Sequence, residues 1–349
     1  MNTEETNIEF DIEQIPEPEN INEVIFNLMV NPNLSPLNYF NDFTDIVPDP
    51  DKMAGEGNDE SGIFEIGDDN KIMSLTAHAM HRHLETDPQK AAEILVSRAA
   101  RKMVCMGAKP IAITAMLYHI NYSDPNGQFI ASGAKAGLEN AAAAYNLKIS
   151  NKKIRFDFFD EPEYQQPTMF VTLLGVFPVC NDNSIKTISQ NFKNKGNNIF
   201  MIGNVANDIA GSDYLEFFHG VTESPLPEFD LKFESKILSI TSKLIQNDLI
   251  DSASPVAKGG LFFTLMRAGW VNGLGFDITT AAETRIDAFL FGESMGRIVV
   301  GVPKKKEDEF VDFMFESGIP FFTLGHVTKG EIRIDDESFG FIDKMSETF

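Results

Sequence analysis

Residues 87–114 read DPQKAAEILVSRAARKMVCMGAKPIAIT, a capped helix delivered through a Gly-Ala-Lys-Pro turn into a buried strand. Asp87 supplies an N-cap oxygen, Pro88 takes the first helical position, where its missing N–H costs nothing, and Gly107 stands just past the end. Ala91, Ile94, Leu95, Ala99, Met103 and Met106 fall on one face, a stripe wide enough to meet a core, and Ala99 and Ala100 let a neighbouring backbone come close. The apolar run Pro110 to Thr114 then suits a strand, with Pro110 at its first residue, where it breaks no ladder.

Outward from this stretch, helices and strands keep alternating. Downstream lie a polar loop (SDPNGQF), an alanine-rich helix over about 131–145 closed by Asn146, and strands near 148–159 and 168–177. Upstream, Ile63 to Ile66 and Lys71 to Thr76 form an expected strand pair around a turn at 67–70, and Asp68 and Asp69 serve that turn. Residues 49–58 read as a surface loop, and residues 21–30 as a short amphipathic helix ended by NPNLSP. Residues 1–20, acidic and carrying Pro16 and Pro18, read as a mobile arm. Apolar periodicity stops over 178–187, which divides the chain into one unit over 21–180 and a second over 187–345. The second holds the strand NNIFMIG, a Gly-Ser turn into a helix, and a helix capped by Asp230 whose Phe233, Ile237, Ile240 and Leu244 share a face. There follow the loop and helix VAKGGLFFTLMRAGW, the strands FDI and GRIVVGV, a helix stopped by Gly318, the strand PFFTLGHV and a hairpin arm, KGEIRID. The class is therefore α/β or α+β.

At 349 residues, two domains of ordinary size are expected, and 43% hydrophobic residues are ample for globular cores. No run of about 18 apolar residues occurs, and the beginning MNTEETNIEFDIE is acidic where a secretory leader is basic then apolar, so a soluble, cytoplasmic protein is expected. Cys105 and Cys180 are too few for a disulfide framework or a four-cysteine metal site and read as small buried hydrophobes. Twenty-nine basic against 52 acidic residues give a net charge of −23, which repels polyphosphate backbones and anionic membranes. Neither nucleic acid nor a membrane is an expected partner. A phosphorylated small molecule remains compatible, because backbone N–H groups at helix N-termini bind phosphate whatever the global charge.

The order of motifs resembles one family. The run from Ala99 to Thr114 is similar to the helix, turn and strand of the formylglycinamidine ribonucleotide synthetases, of the aminoimidazole ribonucleotide synthetase superfamily. So are Asn31-Pro-Asn-Leu-Ser-Pro36, Asp87-Pro88, Gly211-Ser-Asp-Tyr-Leu215, Gly259-Gly-Leu261, Leu290-Phe-Gly-Glu-Ser294 with Arg297, and Gly318-Ile-Pro320 before Gly325-His-Val327. The match is to the second half of those synthetases, which contain tandem copies of a two-domain unit. It implies an N-terminal domain whose sheet pairs in a dimer, and a C-terminal sheet covered by helices. It also implies a partner, either a second copy or a separate first-half chain, and a nucleotide or phosphorylated ribonucleotide as ligand. Members use ATP and magnesium to activate an amide oxygen, after which ammonia displaces the phosphate.

Carboxylates hold metal in such chemistry, and several expected positions differ here. Glu60, in Asn58-Asp59-Glu60-Ser61-Gly62, stands where the family has aspartate and is the one remaining metal candidate. His78 and Ala115 replace aspartates, Tyr118 replaces an asparagine, and Ser254-Pro-Val-Ala-Lys-Gly-Gly260 replaces a His-Asp-Val-Ser segment. Two readings follow. One is a synthetase-like subunit of purine biosynthesis whose partner supplies most of the metal carboxylates; the other is a non-catalytic nucleotide-binding or dimerisation module.

The candidate residues divide by chemistry. Gly259 and Gly260, opening a helix beside Lys258, and Gly211 and Ser212 before another helix, are phosphate-binding candidates or structural turns; Lys109 joins them from its turn. In HAMHRH, an extended chain would put His81 and His83 on one face and His78 on the other, which favours interface or pocket histidines over a metal cluster. Arg82 could hold a phosphate or pair with Glu85 or Asp87. Glu293 and Arg297 are substrate-region candidates or a structural ion pair at a domain interface, and Lys304 to Lys306 begin a solvated helix.

Overall fold

The computed structural model describes residues 11–31, 34, 61–66, 71–155, 166–178 and 186–346. The expected N-terminal helix is α1 (Ile21–Met29), capped by Asn20 Oδ1, which accepts the Asn22 N–H at 3.0 Å. A five-stranded sheet follows, built from β1 (Ser61–Ile66), β2 (Lys71–Met80), β3 (Lys109–Tyr118), β4 (Lys148–Arg155) and β5 (Thr168–Val176) in the spatial order β1-β2-β5-β3-β4. β3 and β4 are parallel, and β2 and β3 both run antiparallel to β5. Those parallel relations need crossovers, which α2 (Pro88–Val104) and α3 (Pro125–Ala144) supply.

The capping reading of α2 holds: Asp87 Oδ1 accepts the Lys90 N–H at 3.0 Å, and Gly107 turns the chain at φ +90°. Cys105 is buried, and burial pushes its thiol up to about 12. α3 begins six residues before the expected 131, because Asp124-Pro125 repeats the helix-start pair of Asp87-Pro88 while Asn126-Gly127 imitates a turn. α2 and α3 lie side by side and run the same way, with Glu93 Oε1 accepting from Asn140 at 2.8 Å and Ser97 Oγ bonded to Tyr145 Oη at 2.6 Å. Glycine permits this contact. A Cβ at Gly137 would stand 2.1 Å from the Gln89 carbonyl oxygen and 2.9 Å from the Ala92 methyl.

The second sheet is seven-stranded. Along the chain come β6 (Asn198–Ile202), α4 (Leu231–Gln246), β7 (Ser252–Pro255), α5 (Gly260–Trp270), β8 (Phe276–Ile278), α6 (Ile286–Phe291) and β9 (Ile298–Val302). α7 (Glu307–Ser317), β10 (Phe321–Val327), β11 (Glu331–Ile334), β12 (Glu337–Phe341) and α8 (Ile342–Ser346) complete it, in the strand order β12-β11-β8-β10-β6-β9-β7. Asp230 Oδ1 caps α4 through the Lys232 and Phe233 N–H groups, and Gly318 ends α7 at φ +66°. The C-terminal hairpin is no free arm: β11 pairs in parallel with β8 and so belongs to the sheet.

Two cores result, one on each face of this sheet. Phe200 and Ile202 of β6 join Ile237 and Leu244 of α4 and the α2 stripe, so the first core runs without a break from one sheet to the other. Ile199 and Met201, alternating with them, face Phe262, Phe263 and Phe291 in the second core. α1 departs from expectation here. It follows the N-terminal arm in sequence but buries Val24, Ile25, Leu28 and Met29 in the second core, against the C-terminal sheet. The arm itself is partly held: Arg285 Nη1 donates to the carbonyls of Ile12 at 2.5 Å and Ile15 at 2.8 Å, a constraint that composition did not reveal. Residues 1–10 lie outside the described residues, as do Asp59, Glu60, Asp68, Asp69 and Cys180. Among the described residues no helix is long and apolar enough to cross a membrane.

Gly137→Val should push α2 and α3 apart. A urea titration is expected to show a loss of about 2 kcal/mol or more, whereas Ser132→Ala on the exposed side of α3 should change stability by less than about 0.5 kcal/mol.

Candidate functional site

The motifs at 211–215, 259–261 and 290–294 are distant in sequence and converge on one carboxylate. Glu293, only 3% exposed, accepts the backbone N–H of Asp213 at 2.8 Å and of Gly259 at 3.0 Å, both on Oε1. Its Oε2 faces Arg98 Nη2 of α2 at 3.9 Å. Burial, together with the charge of Asp213, pushes this carboxyl up to about 7, against the pull of Arg98 and the two N–H donors. The turn that presents Gly259 depends on glycine: Gly259 and Gly260 hold φ +77° and +71°, and a Cβ at Gly260 would meet the Phe291 carbonyl carbon at 2.6 Å.

In this geometry the N–H groups of both glycine turns are engaged within the protein. The Gly259 N–H is spent on Glu293 and the Gly260 N–H on the Ala257 carbonyl at 2.9 Å. Likewise, the Gly211 N–H donates to Ser224 Oγ at 2.8 Å, while the Ser212 N–H and hydroxyl both donate to the Ile209 carbonyl. Lys258 remains exposed beside the turn. Lys109 is not brought to these residues: it pairs with Val176, whereas Met80 pairs with Met169 at the opposite end of β5.

Arg82 follows β2 and reaches the second unit instead of its sequence neighbours Glu85 and Asp87. Its Nη1 donates to the Gly211 carbonyl at 3.2 Å, its Nη2 meets Asp213 Oδ1 at 2.9 Å, and the same nitrogen contacts Glu216 Oε2. A second clasp lies deeper. Arg101 Nε stands 3.4 Å from Glu234 Oε1, each side chain 1% exposed, and Arg101 Nη2 donates to Met295 Sδ at 3.1 Å. The anticipated Glu293–Arg297 pair is replaced. Arg297 donates to the Ser294 carbonyl at 3.1 Å and the Gly292 carbonyl at 2.6 Å, bracing the loop that carries Glu293, while the ionic partner of Glu293 is Arg98.

The histidines do not lie along one extended segment. β2 ends at Met80, so His78 projects from the strand with Ser74 and Thr76 while His81 and His83 occupy the following turn, His83 at φ +65°. Burial and the nearby Arg82 and Arg98 push the His83 imidazole down to about 4; His81 is also lowered, by burial and Arg82. Among the described residues no three His, Cys, Asp or Glu side chains gather closely enough to hold a metal. His78, Ala115 and Tyr118 bring no carboxylate to this region, and magnesium prefers oxygen ligands. Glu60 lies outside the described residues.

Sequence reasoning passed over Arg98, Arg101, Asp213, Glu216 and Glu234. A signal existed for the arginines: Ile94, Arg98, Arg101 and Cys105 recur at helical spacing, so the two cations share the face of buried neighbours. Their partners come from a different unit, and no local pattern specifies them.

An open-faced sheet clasped through buried charges to a helix-covered sheet defines a two-unit α/β protein of synthetase type. The chain belongs to the AIR synthase related family: that family's N-terminal domain matches residues 58–177 and its C-terminal domain residues 194–336. Among curated proteins, the phosphoribosylformylglycinamidine synthase subunit PurL of Moorella thermoacetica is 29% identical over 315 residues, 90% of this chain and 42% of that protein. The chain spans less than half the length of such relatives. Among solved structures, Thermotoga maritima PurL complexed with ADP has a TM-score of 0.72 at 15% identity, covering 96% of this chain and 53% of that one. The same protein complexed with FGAR gives 0.71 at 14% identity, covering 96% and 55%. At these identities the likeness to solved structures is one of fold.

Two measurements test the seam. Because the Glu293 carboxyl titrates higher folded than unfolded, its contribution is fully present below its ordinary range near 4.5 and is lost as pH rises toward about 7. Glu293→Gln removes that titration, so the stability of the variant relative to the wild type should rise between pH 5 and 8 in urea titrations. Arg101→Ala should cost about 3–5 kcal/mol by stranding Glu234, and Arg101→Met with Glu234→Gln should recover much of it.

Proposed function

We propose that this chain works as a phosphoribosylformylglycinamidine synthase-like unit of purine biosynthesis, binding ATP or a phosphorylated ribonucleotide as one half of a larger assembly. The observation that carries this reading is the convergence of the matching motifs on Glu293 at the seam, with the cations Arg82 and Lys258 adjoining the two loops it holds. On an acidic chain, cations at that seam suit an anionic ligand. PurL of Thermotoga maritima has been solved with ADP, AMPPCP, ATP and FGAR, which supports a ligand of this class. With His78 and Ala115 where the resemblance implies aspartates, a partner chain is the proposed source of most metal carboxylates.

The first sheet offers the partner surface. α2 and α3 cover one face; the other presents Leu75, 40% exposed, with half-buried Phe170, Leu174 and Met116. A second copy or a first-half synthetase chain pairing there is the proposed assembly. Calorimetric titration with ATP and magnesium tests the ligand reading. Saturable binding is expected, and no binding at millimolar nucleotide overturns it for the lone chain.

A further inference from the structure

We propose that the Glu216 carboxylate is a built-in occupant of an anion site formed by Arg82, His81 and Lys258, and that a phosphomonoester dianion binds there by displacing it. The proposal rests on the nucleotide-binding reading and adds that the site is self-blocked.

The Arg82 guanidinium is fixed before Glu216 is considered. The Gly211 carbonyl and the fully buried Asp213 carboxylate hold Nη1 and Nη2, which orients the plane of the fork. Glu216 adds a second carboxylate at Nη2, but its side chain is 28% exposed and lies at the rim. Its backbone is unusual: Tyr214–Phe218 is a π-helical turn, with the Glu216 N–H donating to the Ser212 carbonyl at 3.2 Å and the Leu215 N–H to Ser212 Oγ at 3.1 Å. Such turns are rare and are frequent at functional sites. Here the turn aims Glu216 at Arg82.

The surroundings are cationic. Lys258 precedes Gly259, whose N–H shares Glu293 Oε1 with the N–H of Asp213, the residue that holds Arg82, and His81 adjoins Arg82 in sequence. Lys258 is exposed and has no ion-pair partner among the described residues. Arg98 and Lys90 act on His83. With Asp213 committed to Arg82, Glu216 is the remaining anion at this rim. A phosphomonoester replacing it would bring two charges where one stood, with oxygens suited to a guanidinium fork.

Ribose 5-phosphate is the probe, with uncharged ribose as control, titrated by calorimetry into wild type, Glu216→Gln and Glu216→Gln with Lys258→Gln. Thermal melts of each variant confirm folding, which the exposed position of Glu216 favours. Glu216→Gln should bind ribose 5-phosphate about fivefold more tightly than wild type, equivalent to about 1 kcal/mol for a released surface pair. The double variant should lose that gain, ribose should show none, and added salt should shrink the difference. A Glu216→Gln affinity equal to or below wild type overturns the proposal. If ATP still binds the wild type in that case, only the self-blocking is lost; if neither ATP nor ribose 5-phosphate binds any form, the nucleotide-binding reading falls with it.

Discussion

The acceptance of two backbone N–H groups by one buried carboxylate is the constraint on which the seam is built. Glu293 fixes the Asp213 loop and the Gly259 turn to each other and sets both against Arg98 of α2. A buried charge without such partners costs several kcal/mol, and removing one partner leaves the others desolvated. That dependence ties residues 211–215, 259–261 and 290–294 into one structural unit.

Charge is distributed unevenly for the same reason. A chain with 52 acidic and 29 basic residues places Arg82, Arg98, Arg101 and Arg297 where its two sheets meet. Three of these engage carboxylates across the seam, and Arg297 engages carbonyls. Removing either side of such a contact strands a buried charge.

Much of this fold was legible in the sequence because its signals are local. Asp87-Pro88 and Asp230 begin helices where they should, Gly318 ends one, and alternation placed β6, β8, β9 and β10. The misreadings arose where a local signal had a competitor or no local cause. Asn126-Gly127 imitated a turn inside α3, and residues 11–20 looked unattached because their anchor, Arg285, lies some 270 positions away. The candidate site was legible as a set of motifs and illegible as a mechanism of contact. Gly259 looked like a phosphate cradle because glycine before a helix is common to both uses, and only the position of Glu293 reveals that the amide is already engaged. Arg82 was recognised as a fork, but its acceptors, Asp213 and Glu216, belong to another unit.

The placement of α1 imposes an order on folding. Its apolar face belongs to a core whose remaining walls include Phe276, Leu324 and Ile332, all among the later residues of the chain. Burial of this helix therefore requires partners some 250 to 300 positions further along the sequence. Until those partners meet it Val24, Ile25, Leu28 and Met29 stay solvent-facing, and the loop that finally closes spans the entire first sheet. Closure over such a separation slows folding far more than it weakens the folded state.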